Sequence, residues 1–417
     1  MAVNASEIAQ TDDIEFCTLG MFILGMLIIF EDPADPTLTV HCADDIDFGG
    51  SRPRVKNILG GAASFAVVGA RLVAGAPYAR SVSWIVDVGS DFPPETLAVI
   101  KSWNTGCVIR ENHQRLTTRA WNGYHPDEKR DFKYLTPKLR LEPSMLSETQ
   151  VWSRTFHMVC SASRCMYIVE DILRQREELR SAGRAPSTKH AAERPIFVWE
   201  PIPDLCTPEE QEKFFEANRV VDVVSPNHME LGMMFEQPGW TVDNEQSQSL
   251  VQKIINSGIG PNGDGCLAIR AGKEGSYAYS RDQKIWLPAY HKTDASGSTV
   301  VLDPTGAGNS FLGALAQGMV TAGREPFEVI QSVLSPSESW SKAMKAWGNR
   351  QDLPLALICA TVAAGFVVEQ IGVPQISVSG NGKELWNQSE FTERVRLYTQ
   401  RLYGTVEESP QRHLLTN

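Results

Sequence analysis

The residues best suited to chemistry lie in the run Val300-Val301-Leu302-Asp303-Pro304-Thr305-Gly306-Ala307-Gly308-Asn309-Ser310-Phe311-Leu312-Gly313. Its first residues are apolar and β-prone and read as a buried strand. A turn at Pro304-Thr305 follows, then a helix whose apolar positions Phe311, Leu315 and Met319 fall four apart. Gly306 and Gly308 stand where strand passes into helix. Glycine lets the backbone approach a ligand there, and the unpaired N–H groups of a first helical turn, at the positive end of its dipole, suit phosphate. A second group is Asn227-His228-Met229-Glu230. Mg²⁺ takes hard oxygen ligands and keeps several waters, so one carboxylate plus phosphates would suffice; the same spacing is also that of a helix capping box. A third group is Arg270-Ala271-Gly272-Lys273-Glu274-Gly275, between two β-prone runs, where a guanidinium could grip phosphate with two donors.

The elements that must position these groups follow from periodicity. Phe16 to Phe30 is apolar and reads as one buried strand, and the Asp-, Pro- and Gly-rich stretch 31–50 reads as loop. Its cluster Asp44, Asp45 and Asp47 reads as a solvated turn in preference to a metal site. Leu59-Gly60-Gly61-Ala62-Ala63-Ser64 leads into a helix carrying Val67, Val68, Ala70 and Leu72. Residues 107–139 alternate polar and apolar positions, as antiparallel strands with one exposed face do. From Phe156 onward strand and helix alternate: 156–160 strand, 166–180 helix, 196–200 strand, a helix start at Thr207-Pro208, and 220–224 strand. That order predicts a parallel sheet with helices on both faces and ligands at the carboxyl ends of its strands. Residues 335–353, with Trp340 and Trp347, read as an insertion.

The whole chain, 417 residues with 42% hydrophobic content, is long enough for one large domain. A net charge of −11 and the lack of any dense Lys/Arg run argue against a nucleic-acid surface. The eight cysteines show no Cys-x-x-Cys spacing and read as reduced, mostly buried thiols, which predicts a cytoplasmic or nuclear and not a secreted protein. The first residues are polar and acidic, unlike a secretory signal, and the apolar run 19–30 is too short to span a bilayer, so no membrane partner is expected.

The string Asp303-Pro-Thr-Gly-Ala-Gly-Asn309 resembles the second signature of the PfkB (ribokinase-like) family of small-molecule kinases, and the other landmarks occur in the family's order. The resemblance implies an α/β ribokinase-like fold over residues 14–404: a mostly parallel central sheet, helices on both faces and a small β lid within about 107–139. It leaves 1–13 and 405–417 as flexible ends. It implies ATP and Mg²⁺ as cofactors and a small-molecule hydroxyl as acceptor. Gly306, Ala307 and Gly308 become the anion hole, and Asn309 stands at the place of the family's base, usually Asp. Asn227, Arg270 (where the family often has Thr), Gly272, Gly275, Asp303 and Thr305 fall on the nucleotide side. Ala360, Ala363 and Ala364, in the closing helix begun at Cys359, would flank adenine, and Glu230 would help hold Mg²⁺ through water. Gly60, Gly61 and Ser64 match the first signature, with Ser64 where the family has a substrate-binding Asn, and Gly25 matches a strand-end Asp. Trp121, Asn122 and Tyr124 lie in the implied lid, Asn122 as a substrate contact, and a lid of this kind can pair two subunits. Trp121-Asn-Gly-Tyr124, Phe132-Lys-Tyr-Leu-Thr-Pro137 and Trp199-Glu-Pro-Ile-Pro203 resemble a fungal branch of the family, which makes Asn309 a feature of that branch.

An amide cannot take a proton from a hydroxyl. A general base contributes about 10²–10⁴-fold, so Asn309 predicts a slow kinase, or one acting on a group that needs no base. Loss of carboxylate at both 25 and 309 disfavours an ordinary sugar. Three readings follow: an atypical kinase with an apolar or amide-bearing substrate, a nucleotide-binding pseudokinase with a regulatory role, and an enzyme repurposed for other chemistry in secondary metabolism.

Overall fold

A computed structural model describes residues 13–29, 55–124, 130–237, 239–292 and 300–408. The strands are β1 (Phe16–Thr18), β2 (Ile23–Ile29), β3 (Val55–Gly60), β4 (Val82–Val88), β5 (Gly106–Glu111), β6 (Arg119–Tyr124), β7 (Arg130–Tyr134) and β8 (Thr155–Cys160). They continue as β9 (Ile196–Pro201), β10 (Val223–Val224), β11 (Cys266–Arg270), β12 (Ser276–Tyr279), β13 (Lys284–Leu287), β14 (Ile376–Val378) and β15 (Glu384–Trp386). The α-helices are α1 (Gly61–Ala74), α2 (Pro94–Ser102), α3 (Glu148–Val151), α4 (Ala162–Ser181), α5 (Gln211–Asn218) and α6 (His228–Met234). The later ones are α7 (Glu245–Asn256), α8 (Ala307–Gly318), α9 (Glu325–Leu334), α10 (Glu338–Ala346), α11 (Asp352–Val367) and α12 (Phe391–Glu408).

The central sheet has nine strands in the order β13-β12-β11-β10-β9-β8-β1-β4-β5. Neighbours from β11 to β5 are parallel, and only the β11-β12-β13 edge is antiparallel. The inner strands are apolar on both faces because helices cover both. On one face α1, α8, α9, α11 and α12 enclose a core with Phe16, Val198 and Ala268; on the other, α4, α5, α6 and α7 close over Phe156, Phe197 and Leu267. A four-stranded sheet, β3-β2-β6-β7, forms the lid. Arg119 of β6 anchors it to the main body by donating from Nε to Asp91 Oδ2 (2.6 Å), while its Nη1 donates within the lid to Asn57 Oδ1 of β3 (3.0 Å). Among the described residues no helix is long and apolar enough to cross a membrane.

The structure draws several element bounds differently from the sequence reading. The apolar run 16–30 is two strands in two sheets: Gly20 N–H turns to Thr18 Oγ1 (2.9 Å), and the chain leaves the central sheet before β2 joins the lid. The lid therefore draws two strands from before residue 61, while β5, inside the expected lid range, is the edge of the central sheet. Val300 to Leu302 is no strand; Val300 is 58% and Leu302 72% exposed, and Leu302 N–H donates to Val368 C=O (2.8 Å) past the end of α11. The expected insertion folds as α10 plus a 3₁₀ turn, burying Trp340 and Trp347 in the main core. Its ordinary amphipathic spacing was masked by Ser and Lys. The closing helix starts at Asp352, before Cys359, and α12 reaches Glu408, into the expected tail. Asp44, Asp45 and Asp47 lie outside the described residues.

Candidate functional site

The candidate site forms where the carboxyl ends of β9, β10 and β11 meet the N-terminus of α8. Helix α8 is set there by close packing on α1: a Cβ on Gly69 would fall 1.9 Å from Ser310 C=O, and one on Gly313 1.9 Å from Ala66 C=O. The helix begins at Gly306, whose φ of 83° is left-handed and whose Cβ would enter the Phe65 ring at 2.2 Å. Only glycine fits both conditions. Asp303, 7% exposed, shapes the turn by accepting Thr305 N–H at Oδ1 (2.9 Å). Ala307 N–H donates to Pro304 C=O and Ser310 N–H to Gly306 C=O, whereas the amides of Gly308 and Asn309 have no partner among the described residues. Asn309 Oδ1 is likewise buried without a hydrogen-bond partner.

Arg270 reaches this turn from the end of β11. A Cβ on Gly308 would lie 2.1 Å from Arg270 Nη1, so glycine at 308 is what admits the guanidinium. Arg270 Nη2 donates to Ser225 C=O (2.8 Å) and pairs with Glu200 Oε1 (2.8 Å) and Glu230 Oε2 (3.4 Å). Burial opposes the charge on Arg270, but the two glutamates outweigh it and raise its pKa. Glu230 also accepts Asn227 N–H (2.7 Å), while Asn227 Oδ1 accepts Glu230 N–H (2.8 Å): both halves of a capping box are present. A backbone bridge between Asn227 and Arg270 holds that box against β11.

Sequence reasoning missed Glu200 as a site residue. It ends an apolar strand directly before proline, which was the available signal. Glu200 Oε2 is buried with no partner. In register with it, Val159 faces Glu200 and His157 faces Val198, which places His157 on the same sheet face, under α8. His157 Nδ1 meets Thr18 Oγ1 (2.9 Å), and its pKa is pushed down to about 3 by burial first and the Arg270 charge second.

The other expected residues divide. Gly272 and Gly275 form the β11–β12 hairpin turn, with Ala271 N–H bonded to Gly275 C=O (2.8 Å). Ala360 and Ala363 of α11 are fully buried in the core shared with α8, and Ala364 is partly exposed. Gly25 sits in β2, opposite Ile58 and Ala120. Gly60 and Gly61 join β3 to α1, Gly61 with φ 84°. Ser64 is fully buried and its hydroxyl donates to Gly60 C=O (2.7 Å), inside its own helix. Asn122 is in β6 opposite Leu27 and Phe132; its side chain lies outside the described residues.

Direct ligation of Mg²⁺ by Glu230, as distinct from the water-mediated contact implied above, does not fit the donor set as it stands. Glu230 is 3% exposed and its Oε2 is committed to Asn227 and Arg270, while the open oxygen of Glu200 is sealed from solvent. A cation that ligated Glu230 Oε2 directly would have to displace Arg270. Among the described residues no group of three or more His, Cys, Asp or Glu is placed to hold a metal.

Comparison with known proteins agrees with this architecture. Residues 188–375 match the model of the pfkB family of carbohydrate kinases. The chain is 32% identical over 375 residues to the protein MAK32 of Saccharomyces cerevisiae, covering 85% of this chain and 89% of that one. In fold it is similar to the ribokinase of Giardia lamblia (TM-score 0.58, 16% identity, 94% and 99% of the two chains). It is also similar to an Escherichia coli protein of ribokinase II type solved with ATP and Mg²⁺ (TM-score 0.56, 16% identity, 93% and 99%). The relative that spans most of the chain, the matched family model and the shared fold together make this chain a member of the PfkB carbohydrate kinase family.

Proposed function

We propose that the chain is an ATP-dependent phosphotransferase that acts on a hydroxyl of a small molecule, with Gly306, Ala307 and Gly308 holding the transferred phosphoryl group and Asn309 facing the acceptor. The observation that carries this reading is the convergence of the unpartnered Gly308 and Asn309 amides with the guanidinium of Arg270. Such donors stabilise charge on the equatorial oxygens of a phosphoryl group in flight, and positioning with electrostatics does most of the work in this reaction.

The acceptor oxygen attacks the γ-phosphorus, the bridging bond to the β-phosphate breaks, and ADP departs. In a loose transition state the attacking hydroxyl keeps its proton until late. Asn309 Oδ1, buried and otherwise unpartnered, accepts a hydrogen bond from that hydroxyl and orients it without removing the proton, which leaves to solvent once the ester has formed. The Gly272–Gly275 hairpin and Ala364 border the nucleotide. Gly25, Gly60 and Gly61 lie on the acceptor side and present no carboxylate, which favours an acceptor poorer in hydroxyls than a sugar.

Phosphorus NMR of the protein with ATP and a panel of hydroxylated small molecules, with and without Mg²⁺, tests this. A new phosphate-ester resonance that disappears in Gly306→Val is the expected result. Absence of any ester together with absence of ATP-dependent thermal stabilisation would overturn it. A second reading, nucleotide binding without transfer, is favoured by the amide at 309; stabilisation by ATP without an ester across the panel would select it.

A further inference from the structure

We infer that Arg270 takes the place of a protein-held divalent cation at the paired carboxylates of Glu200 and Glu230, so that this site binds nucleotide phosphates without Mg²⁺. The inference rests on the proposed nucleotide site and names the ion that serves it.

The argument is one of charge and of unsatisfied donors. Glu200 is 6% and Glu230 3% exposed, and two buried carboxylates in one place stay ionised only with a cation beside them. Arg270 supplies it from within the chain, with Nη2 between the two. Its remaining donors are uncommitted: Nε is buried with no partner, and Nη1 makes no bond to a described residue although it lies against Gly308. A guanidinium whose Nη2 is held by carboxylates and whose Nη1 lies against a helix N-terminus is a preorganised anion receptor. The amides of Gly308 and Asn309 complete it. A phosphate arriving there meets a fixed positive charge and does not need to bring a metal to be held. Glycine at 308 belongs to the same device, because any side chain would collide with Nη1.

Calorimetric titration of the full chain with ATP, in EDTA and in Mg²⁺, tests the inference. The expected result is a Kd in EDTA within about tenfold of that in Mg²⁺, because a charged hydrogen bond supplies what the metal otherwise would. Arg270→Thr frees both carboxylates; its affinity in EDTA should fall at least about tenfold and be regained when Mg²⁺ is added, a rescue that a merely misfolded variant does not give. Should that variant fail to fold because two buried carboxylates are left unpaired, Arg270→Lys, which keeps the charge and loses the fork, should fold and bind ATP more weakly in EDTA. Binding by the wild type only with Mg²⁺ would overturn the inference and leave the proposed function standing. Binding in EDTA that survives Arg270→Thr or Arg270→Lys unchanged would also overturn it. No ATP binding under either condition would remove the proposed nucleotide site itself.

Discussion

The two sides of the α8 turn are built on opposite plans. The phosphate side is dense with charge: Glu200, Glu230 and Arg270 are packed together, the capping box holds them from below, and His157 is kept neutral under them. The lid side offers Gly25, Gly60, Gly61 and a Ser64 whose hydroxyl is spent within its helix. On the proposed reading, charge is concentrated on the nucleotide side of the turn and withdrawn from the acceptor side. A site can thus keep its donor half while its acceptor half changes, because backbone amides and a helix end do the first task and replaceable side chains do the second.

The comparison breaks most easily at Gly306. Gly306→Val would force a β-branched residue into a left-handed conformation and into the Phe65 ring, so ATP-dependent stabilisation should vanish and intrinsic stability should fall by more than about 2 kcal/mol. Chemical denaturation with and without ATP reads both, and retained ATP stabilisation would refute the anion-hole role.

A smaller, pH-dependent effect probes the burial under the phosphate side. The folded pKa of His157 is about 3 against an ordinary 6.5, so between those values the unfolded chain binds the proton first. Stability from this group is full above about pH 6.5 and declines as pH falls toward 3. His157→Asn should flatten that decline; urea midpoints at pH 7 and pH 5 that change equally in both proteins would show that His157 is not held neutral.

The smallest effect is expected across the turn. Ser64→Ala should cost about 1 kcal/mol and leave the acceptor KM within about threefold, since the lost bond is internal to α1. A large rise in KM with stability unchanged would give the lid side a polar contact and erase the contrast.

Much of the donor half was legible in the chain because it is written in backbone terms: Gly306 and Gly308 at a helix start, Asn227 three residues before Glu230, glycines in the β11–β12 turn. Such features depend on local spacing. What could not be read depended on which strands become neighbours. Glu200 and Arg270 are seventy residues apart in sequence, and only the β9-β10-β11 order joins them. The lid was half hidden for the same reason, since β2 pairs with β6, far along the chain, and carries β3 with it. Val300 and Leu302 misled because β-branched and apolar residues look alike whether or not a sheet edge waits for them; here β13 is already the last strand on that side. Ala360 and Ala363 have the small size expected beside a flat ligand, and equally the size that lets α11 approach α8.

The central claim is that Asn309 occupies the place of the base in a working phosphotransfer site. Its most direct test is the rate of ATP-dependent ester formation in Asn309→Asp against the wild type, at fixed acceptor and nucleotide. Restoring a carboxylate should raise turnover by about 10²-fold or more. Turnover that stays unchanged or falls would contradict the account, because residue 309 would then not face the acceptor hydroxyl.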